Sequence, residues 1–154
     1  MIFHAALPAE NPEAAARTLA RIMGGEAMPF PPGPGCWMAW SADGATELEL
    51  MPRGLTFQRG EKEVDLVQVD PLPRSTDWHV ALGTSVAADE VLRIAEAAGW
   101  PARICHRADF FRVIEVWMEG ATMLEVLDPA MQDEYRRSMT PQNWRQVFGL
   151  GAAA

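Results

Sequence analysis

The sequence predicts an α+β fold of two tandem βαβββ modules, each a strand, a helix and three further strands. Three observations carry this. The phrase DGATELEL at residues 43–50 returns as EGATMLEV at 119–126, 76 residues later. FHAAL at 3–7 returns as WHVAL at 78–82, an aromatic residue and a histidine followed by small or aliphatic positions. Between these phrases Ala16, Leu19, Ala20 and Met23 match Val91, Ile94, Ala95 and Ala98, the spacing of one helical face written twice. His4 stands 20 residues before Gly24, and His79 stands 20 before Gly99. A period of about 75 residues is too long for a solenoid and reads as a duplicated module.

Each element has a local reason. Residues 2–7 form a short strand, and Asn11-Pro12 then supplies an N-cap and first helical residue for a helix over 12–23, stopped by Gly24 and Gly25. Strands follow at 27–30, 36–41 and 45–51, separated by the turns PPGPG and ADG. The second copy gives strands at 78–83, 102–107, 111–118 and 121–127 and a helix at 87–98, with Ser85 as its expected cap and Gly99 and Pro101 as its end. LTFQRGEKEVDLVQV between the modules reads as a hairpin. A polar helix after Asp128-Pro129 and a short one opened by Thr140-Pro141 complete the chain. The expected division is 1–53 for the first module, 54–76 for a linker, 77–129 for the second module and 130–154 for a helical tail, in one compact unit.

Composition narrows the function. Of 154 residues, 49% are hydrophobic and 22% charged, as in a globular protein. A net charge of −8 argues against nucleic acid and anionic membrane surfaces, which call for basic patches. No apolar run approaches the roughly 20 residues of a membrane span. The start MIFHAALPAENPE lacks the pattern of a signal peptide. Cys36 and Cys105 show no disulfide or metal spacing, so a cytoplasmic protein with reduced thiols is expected.

Strand alternation then sorts the faces. Phe3, Ala5 and Leu7 share one face, with His4 on the other; Leu48 and Leu50 oppose Glu47 and Glu49. Trp78, Val80 and Leu82 likewise oppose His79, and Leu124 and Val126 oppose Glu125. With the apolar faces on the helices, each module presents one histidine and one glutamate on the opposite face. The repeat aligns Glu49 with Glu125 and Glu47 with Met123. His106 reads as a rim residue. Glu115 and Trp117 share a strand face and Arg112 takes the other; the sequence leaves open which lines a pocket.

A doubled strand-helix-three-strand module with histidine on its first strand and glutamate on its last resembles the vicinal oxygen chelate superfamily, over residues 1–53 and 77–129. That superfamily includes glyoxalase I, methylmalonyl-CoA epimerase, extradiol dioxygenases and the bleomycin- and fosfomycin-resistance proteins. The resemblance implies a cupped, barrel-like mixed sheet with the helices outside. It implies His4, Glu49, His79 and Glu125 as ligands of one divalent metal per site (zinc, nickel, cobalt, manganese or iron), with Glu47 as the substitute carboxylate. Two imidazoles and two carboxylates suit such ions. The His, Glu, His, Glu order is closest to glyoxalase I. It implies a lyase or isomerase in which Glu125 or Glu49 takes a proton next to a metal-chelated carbonyl of a small substrate. The alternative is a metal-free, drug-sequestering protein of the bleomycin-resistance type; an extradiol dioxygenase matches less well, since Glu49 is present. Members of the family commonly pair, so a homodimer is expected, its sites formed within one chain or across two.

Overall fold

The computed structural model describes residues 4–61, 64–71 and 79–149. The first module runs β1 (His4–Ala9), α1 (Pro12–Ile22), β2 (Ala27–Pro29), β3 (Trp37–Trp40) and β4 (Glu47–Pro52). A hairpin of β5 (Leu55–Arg59) and β6 (Val64–Gln68) follows, as expected for the connecting stretch. The second module repeats the order with β7 (Val80–Gly83), α2 (Ala88–Ala97), β8 (Ala102–Arg107), β9 (Phe111–Met118) and β10 (Thr122–Leu127). Helices α3 (Pro129–Ser138) and α4 (Pro141–Phe148) complete it. Phe3 and Trp78, the aromatic residues of the two histidine phrases, lie outside the described residues.

The four-stranded sheets have the orders β1-β4-β3-β2 and β7-β10-β9-β8. In each, the first strand pairs parallel with the last, and the other pairings are antiparallel. Parallel neighbours need a long crossover, which α1 and α2 help to supply. Among the described residues the two sheets stay separate and do not close into a barrel.

Leu7, Leu48, Leu50 and Ala39 turn toward α1, and Leu82, Leu124, Val126, Ile114 and Val116 belong to the same continuous core. Burying each leucine or isoleucine there contributes roughly 1.5–3 kcal/mol. Ala16, Leu19, Ala20 and Met23 are buried, as are Val91, Ile94 and Ala95. Ala98 is not: it caps the C-terminus of α2, Gly99 turns the chain at φ +71°, and Trp100 fills the core instead.

Asn11 caps α1 by accepting from the Ala14 N–H at 3.1 Å, and Asp128 and Thr140 cap α3 and α4 in the same way. The expected cap Ser85 does not serve. Helix α2 opens at Ala88 from Ala87, with no side-chain cap. The hydroxyl that matters in that loop belongs to Thr84, which donates to the Ile22 carbonyl at 2.6 Å and accepts from the Val86 N–H at 3.0 Å. It thereby ties the end of α1 to the second module.

A second tie runs the other way. Glu119, in the turn between β9 and β10, adopts φ +53° and aims its carboxylate at the start of α1. There it accepts from the backbone N–H groups of Glu10 and Asn11, at 2.7 and 3.0 Å. A carboxylate is favoured at that end of a helix, where N–H groups lack partners. Glu119→Ala is therefore expected to lower unfolding stability by about 1–3 kcal/mol in urea titrations, with helix content unchanged. An unshifted midpoint would show that this carboxylate adds nothing to the docking of the modules.

Candidate functional site

The candidate site is built on the sheet faces turned away from α1 and α2. In the first module the parallel register sets His4 level with Glu47 and Ala6 level with Glu49. The antiparallel partner continues each row: Trp40 lies beside Glu47, and Met38 lies beside Glu49, with Met28 beyond it. His4 Nδ1 stands 3.6 Å from Glu47 Oε1, and the histidine is more than half exposed. Both residues line a cleft of about 150 Å³ whose opposite wall is β7. Glu49 is only 7% exposed. Burial pushes its carboxyl above the usual range; nearby His4 partly offsets this and Glu47 adds to it.

The second module repeats the layout with other chemistry. Ala81 is level with Glu125, which leaves His79 level with Met123. Beyond Glu125 on the same row come Glu115 of β9 and Arg103 of β8. His79 Nε2 lies 3.9 Å from Glu125 Oε2. The other oxygen of Glu125 accepts from Arg107, whose Nε is 2.9 Å away. The same guanidinium donates to Glu115 Oε1 at 2.9 Å, and Arg103 Nε donates to Glu115 Oε2 at 3.0 Å. Arg107 thus bridges two buried carboxylates on adjacent strands. Its hydrogen bond holds the Glu115 carboxyl below the usual range, against the opposing effect of burial, with Arg103 assisting.

The structure therefore sets a histidine beside a carboxylate in each module rather than gathering the four expected ligands in one set. His4 has Glu47 beside it, with Glu49 one pleat further along; His79 reaches Glu125. Among the described residues no three His, Cys, Asp or Glu side chains gather in a way that could hold a metal. Glu115 and Trp117 lie on the candidate face, and Arg112 lies on the other, where it pairs with Glu134 of α3. Arg103 and Arg107 were not anticipated as partners of the acids. Their signal was the alternation Arg-x-Cys-x-Arg on β8, which puts both arginines on one face, opposite the strand that carries Glu115.

The fold is that of the vicinal oxygen chelate superfamily. Among solved structures, the chain is similar to the genomically encoded fosfomycin resistance protein FosX from Listeria monocytogenes. The identity is 16% and the TM-score 0.57, over 89% of this chain and 97% of that one. A mutant of FosX complexed with Mn(II) and 1S,2S-dihydroxypropylphosphonic acid matches at 15% identity and TM-score 0.56, over 89% and 96% of the two chains. Lactoylglutathione lyase from Agrobacterium tumefaciens matches at 16% identity and TM-score 0.54, over 82% and 91%. No family model matches the sequence, and no curated relative does. No helix among the described residues is long and apolar enough to cross a membrane.

The Arg107 bridge has a measurable signature. Arg107→Leu leaves Glu115 and Glu125 facing each other without a shared cation. Breaking a fully buried pair costs about 3–5 kcal/mol; with Arg107 31% exposed, about 2 kcal/mol is expected at neutral pH. The depressed Glu115 carboxyl contributes stability that is present above its unfolded pKa and lost as pH falls through the folded value. The gap between wild type and variant should thus narrow below about pH 4 in chemical-denaturation series. An equal gap at neutral and acid pH would assign the loss to packing.

Proposed function

We propose that the chain is a small-molecule-binding protein that uses this fold without a resident metal. The observation that carries the reading is the Arg107 guanidinium bonded to Glu125 and Glu115. A ligand carboxylate has to offer its charge to the ion, and here that charge is already matched from within. A dication about 4 Å from a guanidinium is repelled by roughly 8 kcal/mol at an effective dielectric of about 20, and Glu115 returns only part of this. Met123 also stands where the first module has Glu47, so the second half of the site has lost one of its carboxylates. The donor set His4, Glu49, His79 and Glu125 does not fit a metal within one chain, and no reaction step is assigned through one. The sequestering class of the superfamily accounts for these features better than the lyases do.

A second reading keeps the metal-dependent lyase or isomerase of glyoxalase type. It is favoured by the fact that each module still sets an imidazole within 4 Å of a carboxylate, at 3.6 Å for His4 and Glu47 and 3.9 Å for His79 and Glu125. A dimer that faced His4 and Glu49 of one chain with His79 and Glu125 of its partner would gather both halves. Elemental analysis of protein purified without chelator or histidine tag decides between the two. The expected result is far less than one equivalent of zinc, nickel, cobalt, manganese or iron per chain. Stoichiometric metal, lost in a His4→Ala, His79→Ala double variant, would establish the second reading.

Self-association belongs to both. Trp144, Val147 and Phe148 stand exposed together on α4, an apolar cluster of the kind that marks interaction sites. A homodimer is expected in light scattering at micromolar concentration. A monomeric mass that does not change with concentration would refute it.

A further inference from the structure

The duplicated faces differ in one respect that points to a ligand. Glu49 and Glu125 hold equivalent places, each flanked by an alanine of the parallel neighbour and each 7% exposed. Glu125 has Arg107, and Glu115 beside it has Arg107 and Arg103. In the first module Met38 stands in the place of Glu115, and Met28 in the place of Arg103. Arg107 lies four residues past Arg103; the same step from Met28 leads past the end of β2 at Pro29 to Pro32, in the PPGPG turn. The position that carries the cation in one module is a turn proline in the other.

Glu49 is left with no hydrogen bond and no ion pair among the described residues. Burying an ionised carboxylate without a partner is costly, and proteins normally pair it. A second polar group on this face is also without a partner. Trp40, level with Glu47, has a buried indole Nε1 that finds no acceptor, which costs about 1–3 kcal/mol. An unpaired acid and an unpaired donor, one pleat apart, are what a bound molecule with a cationic group and an acceptor would satisfy. Glu47 adds a second negative charge at the more open end, beside His4. Met38 and Met28 supply the apolar floor.

We propose that this face of the first module binds the guanidinium or alkylammonium end of a small ligand, set against Glu49 as Arg107 is set against Glu125. The neighbouring Trp40 indole donates to an acceptor on the same ligand. The site rests on the metal-free reading, since a metal held by Glu49 would occupy the same carboxylate.

The test uses the whole chain and three probes of similar shape: n-butylguanidinium, n-butylammonium and uncharged n-butylurea, titrated by calorimetry and by NMR of the tryptophan indole N–H signals. Both cations should bind, n-butylurea should bind about tenfold more weakly or worse, and the signal identified by Trp40→Phe should move. Glu49→Gln keeps the shape and should weaken cation binding by about tenfold or more. Met38→Arg supplies the missing cation from within. It should abolish cation binding with Glu49 still in place and should not lower the unfolding midpoint. Equal affinity for n-butylurea, or cation binding unaffected by Glu49→Gln or Met38→Arg, would overturn the proposal. If the purified protein carries stoichiometric metal that Glu49→Gln releases, the metal-free reading falls and the cation site with it. If the protein is metal-free and neither cation binds, the cation site alone falls.

Discussion

Parallel pairing of the first and last strand in each module is the constraint from which the rest of the architecture follows. A hairpin cannot make that pairing; the chain has to travel through a helix and return through two more strands before β4 can lie beside β1, or β10 beside β7. Once it does, the period-2 alternation of both strands is locked together. Leucines on one side meet the helix, and the histidine and glutamate side chains of each module share the other side on neighbouring strands. A slip of one residue in either parallel pair would send both acids into the helix interface and both leucines out. The hydrophobic core therefore fixes the register, and the register fixes which polar side chains meet. Glu119 and Thr84 act one level up, linking modules whose internal geometry is already decided.

Duplication makes the polar chemistry interpretable, because each residue can be read against its counterpart. A row of alanine, glutamate, glutamate and arginine in the second module, its two acids buried, corresponds to alanine, glutamate, methionine and methionine in the first. Together with Arg107 the second row is neutral and cross-linked over three strands by charge-assisted hydrogen bonds, which are about twice as strong as neutral ones. The first carries an acid whose carboxyl is pushed upward by burial, with His4 offsetting only part of the rise. The two faces share a backbone pattern and have opposite electrostatic solutions.

Most of the fold was legible in the sequence because it rests on periodicity and punctuation. The repeated octapeptide, the helical spacing from Ala16 to Met23 and the pairs Asn11-Pro12, Asp128-Pro129 and Thr140-Pro141 each have a local cause that survives folding. What was not legible depends on contacts distant along the chain. Ser85 resembles a cap in sequence, yet the hydroxyl in use is that of Thr84, because the carbonyl it reaches belongs to Ile22, 62 residues away. Ala98 follows the helical period but falls at the cap, where the chain turns and Trp100 takes its place. Among the site residues, the face assignments of His4, Glu49, His79 and Glu125 could be read from alternation alone. Their partners could not. Whether Glu125 meets an ion or a guanidinium is decided by the register between β8, β9 and β10, and alignment of the repeats says nothing about that register.

The comparison also indicates why an incomplete charge network would persist in one copy only. Internal pairing of a buried acid secures stability but leaves nothing for a ligand to satisfy, whereas an unpaired acid costs stability in the free protein and supplies binding energy when its partner arrives. A chain with two copies of one module can divide these tasks. The second, whose β9–β10 turn holds the start of α1 and whose β9 packs against α3, anchors the structure and keeps its charges closed. The first has a short β2 that ends in a proline-glycine turn where β8 of the second continues to Arg107, and it keeps its acid open. The difference between the modules thus follows from the length of one edge strand: the copy whose β8 runs on to Arg107 is the copy whose polar face is neutralised from within.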